Sequence, residues 1–219
     1  MISIEEHQNL LLAISNNLKR QIVAYAVGGT AMMFLGLKDA TLDIDLVFKN
    51  ERDKNDFIRA AKSLGYKEMD PIRVYGAKEN HPDMLTLGNE RFDLFVVNVI
   101  DFVFSENMQM RSEQTQQFGN NLILKIASYN DIILMKCATD RLKDKDDVRK
   151  ILENKKIDWK IIVGEAKNQI KLGKEKAVFD LGFFLEDLKK TVKDKIPQQI
   201  LDELFEFLKK QAEEKQKEK

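Results

Sequence analysis

Hydrophobic and polar positions follow two rhythms along this chain. Ile4, Leu11, Ile14 and Leu18 recur at helical spacing and predict an amphipathic helix over 4–19. Residues 22–27 form a short apolar run that stops at Gly28-Gly29, the pattern of a buried strand entering a tight turn. A short helix over 30–37 starts at that turn. Residues 42–48 predict a second strand, in which Asp43 and Asp45 alternate with Leu42, Ile44 and Leu46. Phe57, Ile58, Ala61 and Leu64 outline a helix over 56–64 closed by Gly65. Between Asp70 and Asn89 the pattern weakens into loops punctuated by Pro71, Gly76, Pro82 and Gly88, with at most a brief strand near Leu85. Phe92, Leu94, Phe95, Val96 and Val97 predict a strand over 91–99, and 122–126 a further one. Ser128 and Asp131 have the spacing of a capping box ahead of a helix over 132–142. Beyond about Lys155 the pattern is helical, with Asp158 as a cap and Pro197 in a first turn. Ile200, Leu201, Leu204, Phe205 and Leu208 form an apolar face that must pack on something. The polar run from Lys210 to the last residue, about nine residues at its core, is expected to fray.

Composition narrows the function classes. The 219 residues suffice for a compact catalytic domain with a smaller helical appendage, and 43% hydrophobic content excludes wholesale disorder. Lys plus Arg and Asp plus Glu number 36 each, giving zero net charge. Strong nonspecific DNA binding is therefore not expected, and a nucleic-acid acceptor would need a local patch. The single Cys137 cannot close an intrachain disulfide, which suits a reducing compartment. Neither a basic segment followed by an apolar run at the N-terminus nor an 18-residue apolar stretch is present. A soluble, cytoplasmic protein with no membrane partner is the expectation. His7 and His81 lack metal-ligand spacing.

Chemistry concentrates in three places: the Gly28-Gly29 turn, Asp43 and Asp45 in one strand, and Asp93 in a later strand. Side chains alternate along a strand, so Asp43 and Asp45 share a face about 6.5–7 Å apart. Two unit charges about 4 Å apart repel by around 4 kcal/mol at an effective dielectric of 20. If Asp93 joins them, the cluster needs cations or protons. Oxygen-only ligands suit Mg²⁺ or Mn²⁺, and two such ions can clamp an in-line phosphoryl displacement. The glycines allow close approach of backbone to phosphate, and Thr30 offers a hydroxyl. Singly, a Gly-Gly is a turn and an Asp-x-Asp a solvated strand edge; their order together is what points to a site.

Val27-Gly28-Gly29-Thr30-Ala31, Thr41-Leu42-Asp43-Ile44-Asp45-Leu46 and Phe92-Asp93-Leu94 resemble the motif set of the DNA polymerase β-type nucleotidyltransferase superfamily. The stretch from Asp131 to Asp147, with Lys136, Arg141 and Asp144, resembles prokaryotic members, including abortive-infection and toxin-type nucleotidyltransferases. The resemblance covers roughly residues 20–153. It implies an α/β (α+β) fold: a small mixed β-sheet core flanked by helices, with a helical C-terminal extension. Residues 1–153 would form the catalytic domain and 154–219 the helical region. It further implies that Asp43, Asp45 and Asp93 ligate two Mg²⁺ or Mn²⁺ ions. Gly28, Gly29 and Thr30 would hold a nucleoside triphosphate such as ATP, and Lys136 would neutralise its phosphates. Asp144 matches an activity-linked position of the toxin-type members, or is a helix-start carboxylate near Lys143 and Lys145. Arg141 either pairs with Asp144 or touches the nucleotide; Arg111 is a weaker phosphate candidate.

The implied activity moves a nucleoside monophosphate from a triphosphate to an acceptor hydroxyl on RNA or protein. A small-molecule acceptor, or a catalytically silent nucleotide-binding module, is the alternative. An antitoxin or a second copy of the chain are partners that the resemblance allows.

Overall fold

The computed structural model describes residues 1–76, 80–137 and 142–217. Strands in chain order are β1 Ile2–Ser3, β2 Ile22–Ala26, β3 Ala40–Thr41, β4 Ile44–Phe48, β5 Lys67–Met69, β6 Asp83–Leu87, β7 Glu90–Val96, β8 Asn98–Val99, β9 Phe102–Val103, β10 Thr115–Phe118 and β11 Leu122–Ile126. The helices are α1 Ile4–Asn17, α2 Gly28–Phe34, α3 Glu51–Ser63, α4 Ile72–Tyr75, α5 Glu106–Arg111, α6 Tyr129–Lys136, α7 Leu142–Asn154, α8 Trp159–Lys171, α9 Glu175–Val192 and α10 Gln198–Lys217. The chain divides into two compact units, Met1–Ile100 with Phe104–Ile132, and Asp101–Val103 with Ile133–Lys219. That division falls inside α6, whereas the sequence expectation put the boundary after residue 153.

The first unit is built on a mixed sheet with the seven-strand path β10-β11-β2-β4-β7-β6-β5. β11 runs parallel to β2 and β4 parallel to β7, while β2 and β4 are antiparallel. The central strands bury most of their apolar positions and carry Asp45 and Asp93 on the alternate face of β4 and β7. Ala24, Ala26, Ile44, Leu46, Phe92 and Leu94 are fully buried. Phe57 from α3 sits between Phe48 and Phe92, with ring centroids 5.5 and 5.3 Å away. Two-residue strands β1 and β3 pair separately. A capping box at Ser3 and Glu6 starts α1.

Several boundaries differ from the sequence expectation. α3 begins at Glu51, not 56, because Asn50 caps it by accepting from the Asp53 N–H at 2.9 Å. Its first turn is wholly polar and carries no periodic signal. The strand expected over 91–99 breaks at Val97, which takes a φ of 57°, unusual for a β-branched residue. The weak stretch 70–89 holds both α4 and β6, and α5 and β10 carried no prediction. Asp131, expected in a capping box, takes the Arg111 guanidinium at 2.7 and 3.0 Å.

The second unit is mainly helical, with α8, α9 and α10 packed on one another. Gly182 of α9 faces Phe205 of α10, where an added Cβ would come within 3.0 Å of the ring. Asp158 caps α8 as expected, accepting from the Lys160 N–H at 3.0 Å. Gln169 exchanges two hydrogen bonds with the Val103 backbone at 2.8 and 3.0 Å, joining β9 to this unit. α10 is helical to Lys217, through the polar run expected to fray. No helix among the described residues is long and apolar enough to cross a membrane.

Candidate active site

Parallel pairing of β4 and β7 places Asp45 directly opposite Asp93. Asp43 comes from the bend before β4 rather than from the strand, so alternation alone does not position it. The Thr41 hydroxyl donates to its Oδ1 at 3.4 Å. Asp43, Asp45 and Asp93 present carboxylate oxygens that all lie within 4.8 Å of one another. Asp43 and Asp93 are buried and Asp45 half-buried.

The glycine turn is built against these carboxylates. α2 starts at Gly28, with Val27 as N-cap and no side-chain capping bond. Gly28 has a φ of +55°, and a Cβ there would lie 2.6 Å from Asp45 Oδ2. A Cβ on Gly29 would meet the Thr41 hydroxyl at 2.6 Å. Both positions need glycine for space, and Gly28 also for its backbone. Thr30, assigned to the triphosphate from sequence, is fully buried. Its hydroxyl accepts from the Asp45 N–H at 2.9 Å and lies 3.4 Å from the Asp43 carbonyl, to which it donates. Thr30 thus ties α2 to the Asp43–Asp45 backbone.

Two residues that the sequence pattern did not single out complete the site. Arg91 stands two positions before Asp93 on β7 and therefore shares its face. Its guanidinium is paired with Asp43 and contacts Asp93 at 3.0 and 3.1 Å. The Tyr75 hydroxyl, from α4, donates to Asp93 Oδ2 at 2.6 Å. Burial raises the Tyr75 hydroxyl far above its usual range, reinforced by the charges of Asp45 and Asp93. Asp93 is pushed up to about 6 by burial, with Asp43 adding to the rise and Arg91 and the Tyr75 bond opposing it. Burial works against the charge on Arg91, but Asp93 and Asp43 outweigh it and hold the guanidinium above its ordinary range. Strand alternation exposes Arg91 to sequence reasoning; nothing local marks Tyr75.

This donor set fits divalent cations. It is all oxygen, as hard cations require. Asp93 Oδ1 is buried without a hydrogen-bond partner, a lone pair that an ion would satisfy. The missing Cβ at Gly28 leaves room beside Asp45.

Lys136 and Asp144 lie in the second unit, where they meet each other. Lys136 Nζ contacts Asp144 at 2.8 Å and Asp147 at 2.6 Å, with all three residues buried. Burial disfavours this ammonium, but the two carboxylates outweigh it and raise its pKa. Asp144 lies in the first turn of α7 and accepts from Lys136 Nζ. Cys137 is buried, its thiol pushed up by that burial, and it donates to the Ile133 carbonyl at 3.0 Å. Arg141 lies outside the described residues. Arg111 is held by Asp131, so it is charge-paired rather than solvated.

Adjacent strands of the mixed sheet thus carry carboxylates to one place beside a glycine turn. Residues 1–193 match a family described as nucleotidyltransferases of unknown function (DUF6036), and the chain belongs to that family. The protein is thus a transferase. α10 lies beyond the matched residues. No curated protein matches the sequence. One similar solved structure is ANT(2")-Ia in complex with adenylyl-2"-tobramycin, 18% identical, with a TM-score of 0.44. The similarity covers 83% of this chain and 95% of that one.

Proposed function

We propose that the protein transfers a nucleoside monophosphate from a nucleoside triphosphate to an acceptor hydroxyl. The observation that carries this reading is the convergence of Asp43, Asp45 and Asp93 oxygens within 4.8 Å, beside a glycine turn shaped around Asp45. Asp43, Asp45 and Asp93 would hold Mg²⁺ or Mn²⁺; such ions, when bound, neutralise triphosphate charge and orient its oxygens. Gly28 and Gly29 let the backbone approach the triphosphate, and Thr30 keeps the Asp43–Asp45 segment against that turn. Asp93, buried and held by Tyr75, is the carboxylate we assign to the acceptor proton. The acceptor oxygen then bonds to the α-phosphorus as pyrophosphate leaves, and the hydroxyl proton passes to Asp93.

For the acceptor, the likeness of Lys136 and the Asp144–Asp147 segment to prokaryotic toxin-type members supports RNA or protein, and with it an antitoxin as partner. Zero net charge supports a second reading, a small hydroxylated molecule, since it supplies no bulk attraction for polynucleotide. Labelled triphosphates incubated with Mg²⁺ and separate RNA, protein and small-molecule fractions test both. Label in one fraction, absent with Asp45→Asn, identifies the acceptor class. Triphosphate binding without transfer to any fraction would leave a silent nucleotide-binding module.

A further inference from the structure

The triad contains its own cation. Arg91 Nη2 reaches Asp43 Oδ2 and also Asp93 Oδ2, the latter at 3.1 Å. Its Nε lies 3.0 Å from Asp93 Oδ1. That last approach is not aligned as a hydrogen bond, so both Nε and Oδ1 are buried without a hydrogen-bond partner. The fork of an arginine is best used on one carboxylate through two parallel bonds. Arg111 does this on Asp131, with Nε donating to Oδ2 at 3.0 Å and Nη2 to Oδ1 at 2.7 Å. Arg91 instead divides its fork between carboxylates carried by the bend before β4 and by β7. Its single charge offsets only part of theirs, and it leaves a buried Asp93 oxygen without a hydrogen bond.

We propose that Arg91 is an internal counter-ion that holds the triad in the metal-free protein and competes with the entering divalent cation for the same oxygens. The inference rests on the metal-dependent reading of this site. It makes Arg91 a positioning residue: it keeps Asp43 beside Asp93 before loading and yields those oxygens on loading. An ordinary structural ion pair would differ in sign. Its removal would disorder the carboxylates and weaken metal binding.

The test is calorimetric titration of Mn²⁺ into wild type, Arg91→Met and Arg91→Lys, with melting temperatures measured with and without the ion. Arg91→Met should bind Mn²⁺ on the order of ten-fold tighter, because a full positive charge no longer touches the ligand oxygens. Its metal-free form should melt below wild type, and saturating Mn²⁺ should close most of that gap. Arg91→Lys should fall between the two, since one ammonium cannot span both carboxylates as a guanidinium does. If the Met variant does not fold, the Lys variant decides by the same sign. Wild type that binds Mn²⁺ with variants that bind it equally or less tightly overturns the inference alone. Absence of Mn²⁺ binding in all three proteins overturns the metal reading itself, and the inference with it.

Discussion

Gly28→Ala separates the two demands placed on the glycine turn. The residue has a φ of +55°, so any Cβ raises the backbone energy, by about 1 kcal/mol. For a chain of this size that lowers the melting temperature by roughly 2–4 °C. The second effect is local and larger in consequence. The new Cβ would stand 2.6 Å from Asp45 Oδ2 and 3.3 Å from its Cγ. Restoring ordinary contact, which begins at 3.4 Å, displaces the carboxylate oxygen by about 0.8 Å. A misplacement of about 1 Å in a catalytic group can cost roughly a hundred-fold in rate. Gly36→Ala supplies the control, because Gly36 has a φ of +68° and a Cβ added there would meet nothing within 4 Å. The two variants should lose similar stability by thermal melting. Only Gly28→Ala should lose Mn²⁺ affinity in calorimetry and about a hundred-fold in pyrophosphate release. If Gly28→Ala keeps wild-type metal affinity and turnover, Asp45 does not serve the site in the way described.

Asp45→Asn should abolish detectable transfer and weaken Mn²⁺ binding while the metal-free protein melts no lower than wild type, since a like charge leaves the triad; near-wild-type turnover would remove Asp45 from the metal site. Lys136→Met should destabilise by about 3–5 kcal/mol in urea unfolding, because Asp144 and Asp147 lose a buried cation. Adding Asp144→Asn should recover part of that loss, and a stability unchanged by Lys136→Met would contradict the pairing. His7 is fully buried, and neither ring nitrogen has a hydrogen-bond partner. Burial lowers its pKa from 6.5 to about 4, against smaller opposing effects of Asp43 and Glu6. The folded state thus resists a proton that the unfolded chain accepts, so this contribution is complete above pH 6.5 and is lost as pH falls toward 4. The loss amounts to about 3 kcal/mol, and His7→Leu should flatten that part of the stability profile; an equally steep profile would place the titration elsewhere.

How much of this was legible in the sequence depends on whether local pattern or distant partners set the outcome. β2, β4 and β11 are visible because each is a compact apolar run. α4 is not, because its surroundings are broken by proline and glycine, and β6 shows only as a brief strand near Leu85 because its pairing with β7 is not a local signal. The glycine turn, Asp45 and Asp93 follow from order and spacing, whereas Asp43 reaches them from the bend before β4 and not by strand alternation. Tyr75 does not follow from either, since its proximity to Asp93 depends on how 70–76 returns to the sheet. Lys136 shows the converse difficulty. Its place in an apolar helix suggests a phosphate contact from sequence, and its pairing with two carboxylates of α7 is not announced by any local pattern.

The core and the site make opposing demands on the same pair of strands, and the periodicity of a strand reconciles them. On one face, Ile44 and Leu46 of β4 and Phe92 and Leu94 of β7 are fully buried. Burying each contributes roughly 1.5–3 kcal/mol. The intervening positions put Asp45 opposite Asp93, a like-charge approach that costs around 4 kcal/mol at about 4 Å and an effective dielectric of 20. A slip of one residue would separate the carboxylates but exchange the faces of a strand, carrying its large apolar side chains out of the core. With Phe48 on the same face, a slipped β4 would lose three such side chains, roughly 4.5–9 kcal/mol, so the register that the core selects also holds the charges together. Arg91 follows from the same alternation. Any residue two places from Asp93 shares its face, so β7 can place a balancing cation beside the triad without changing the side that faces the core.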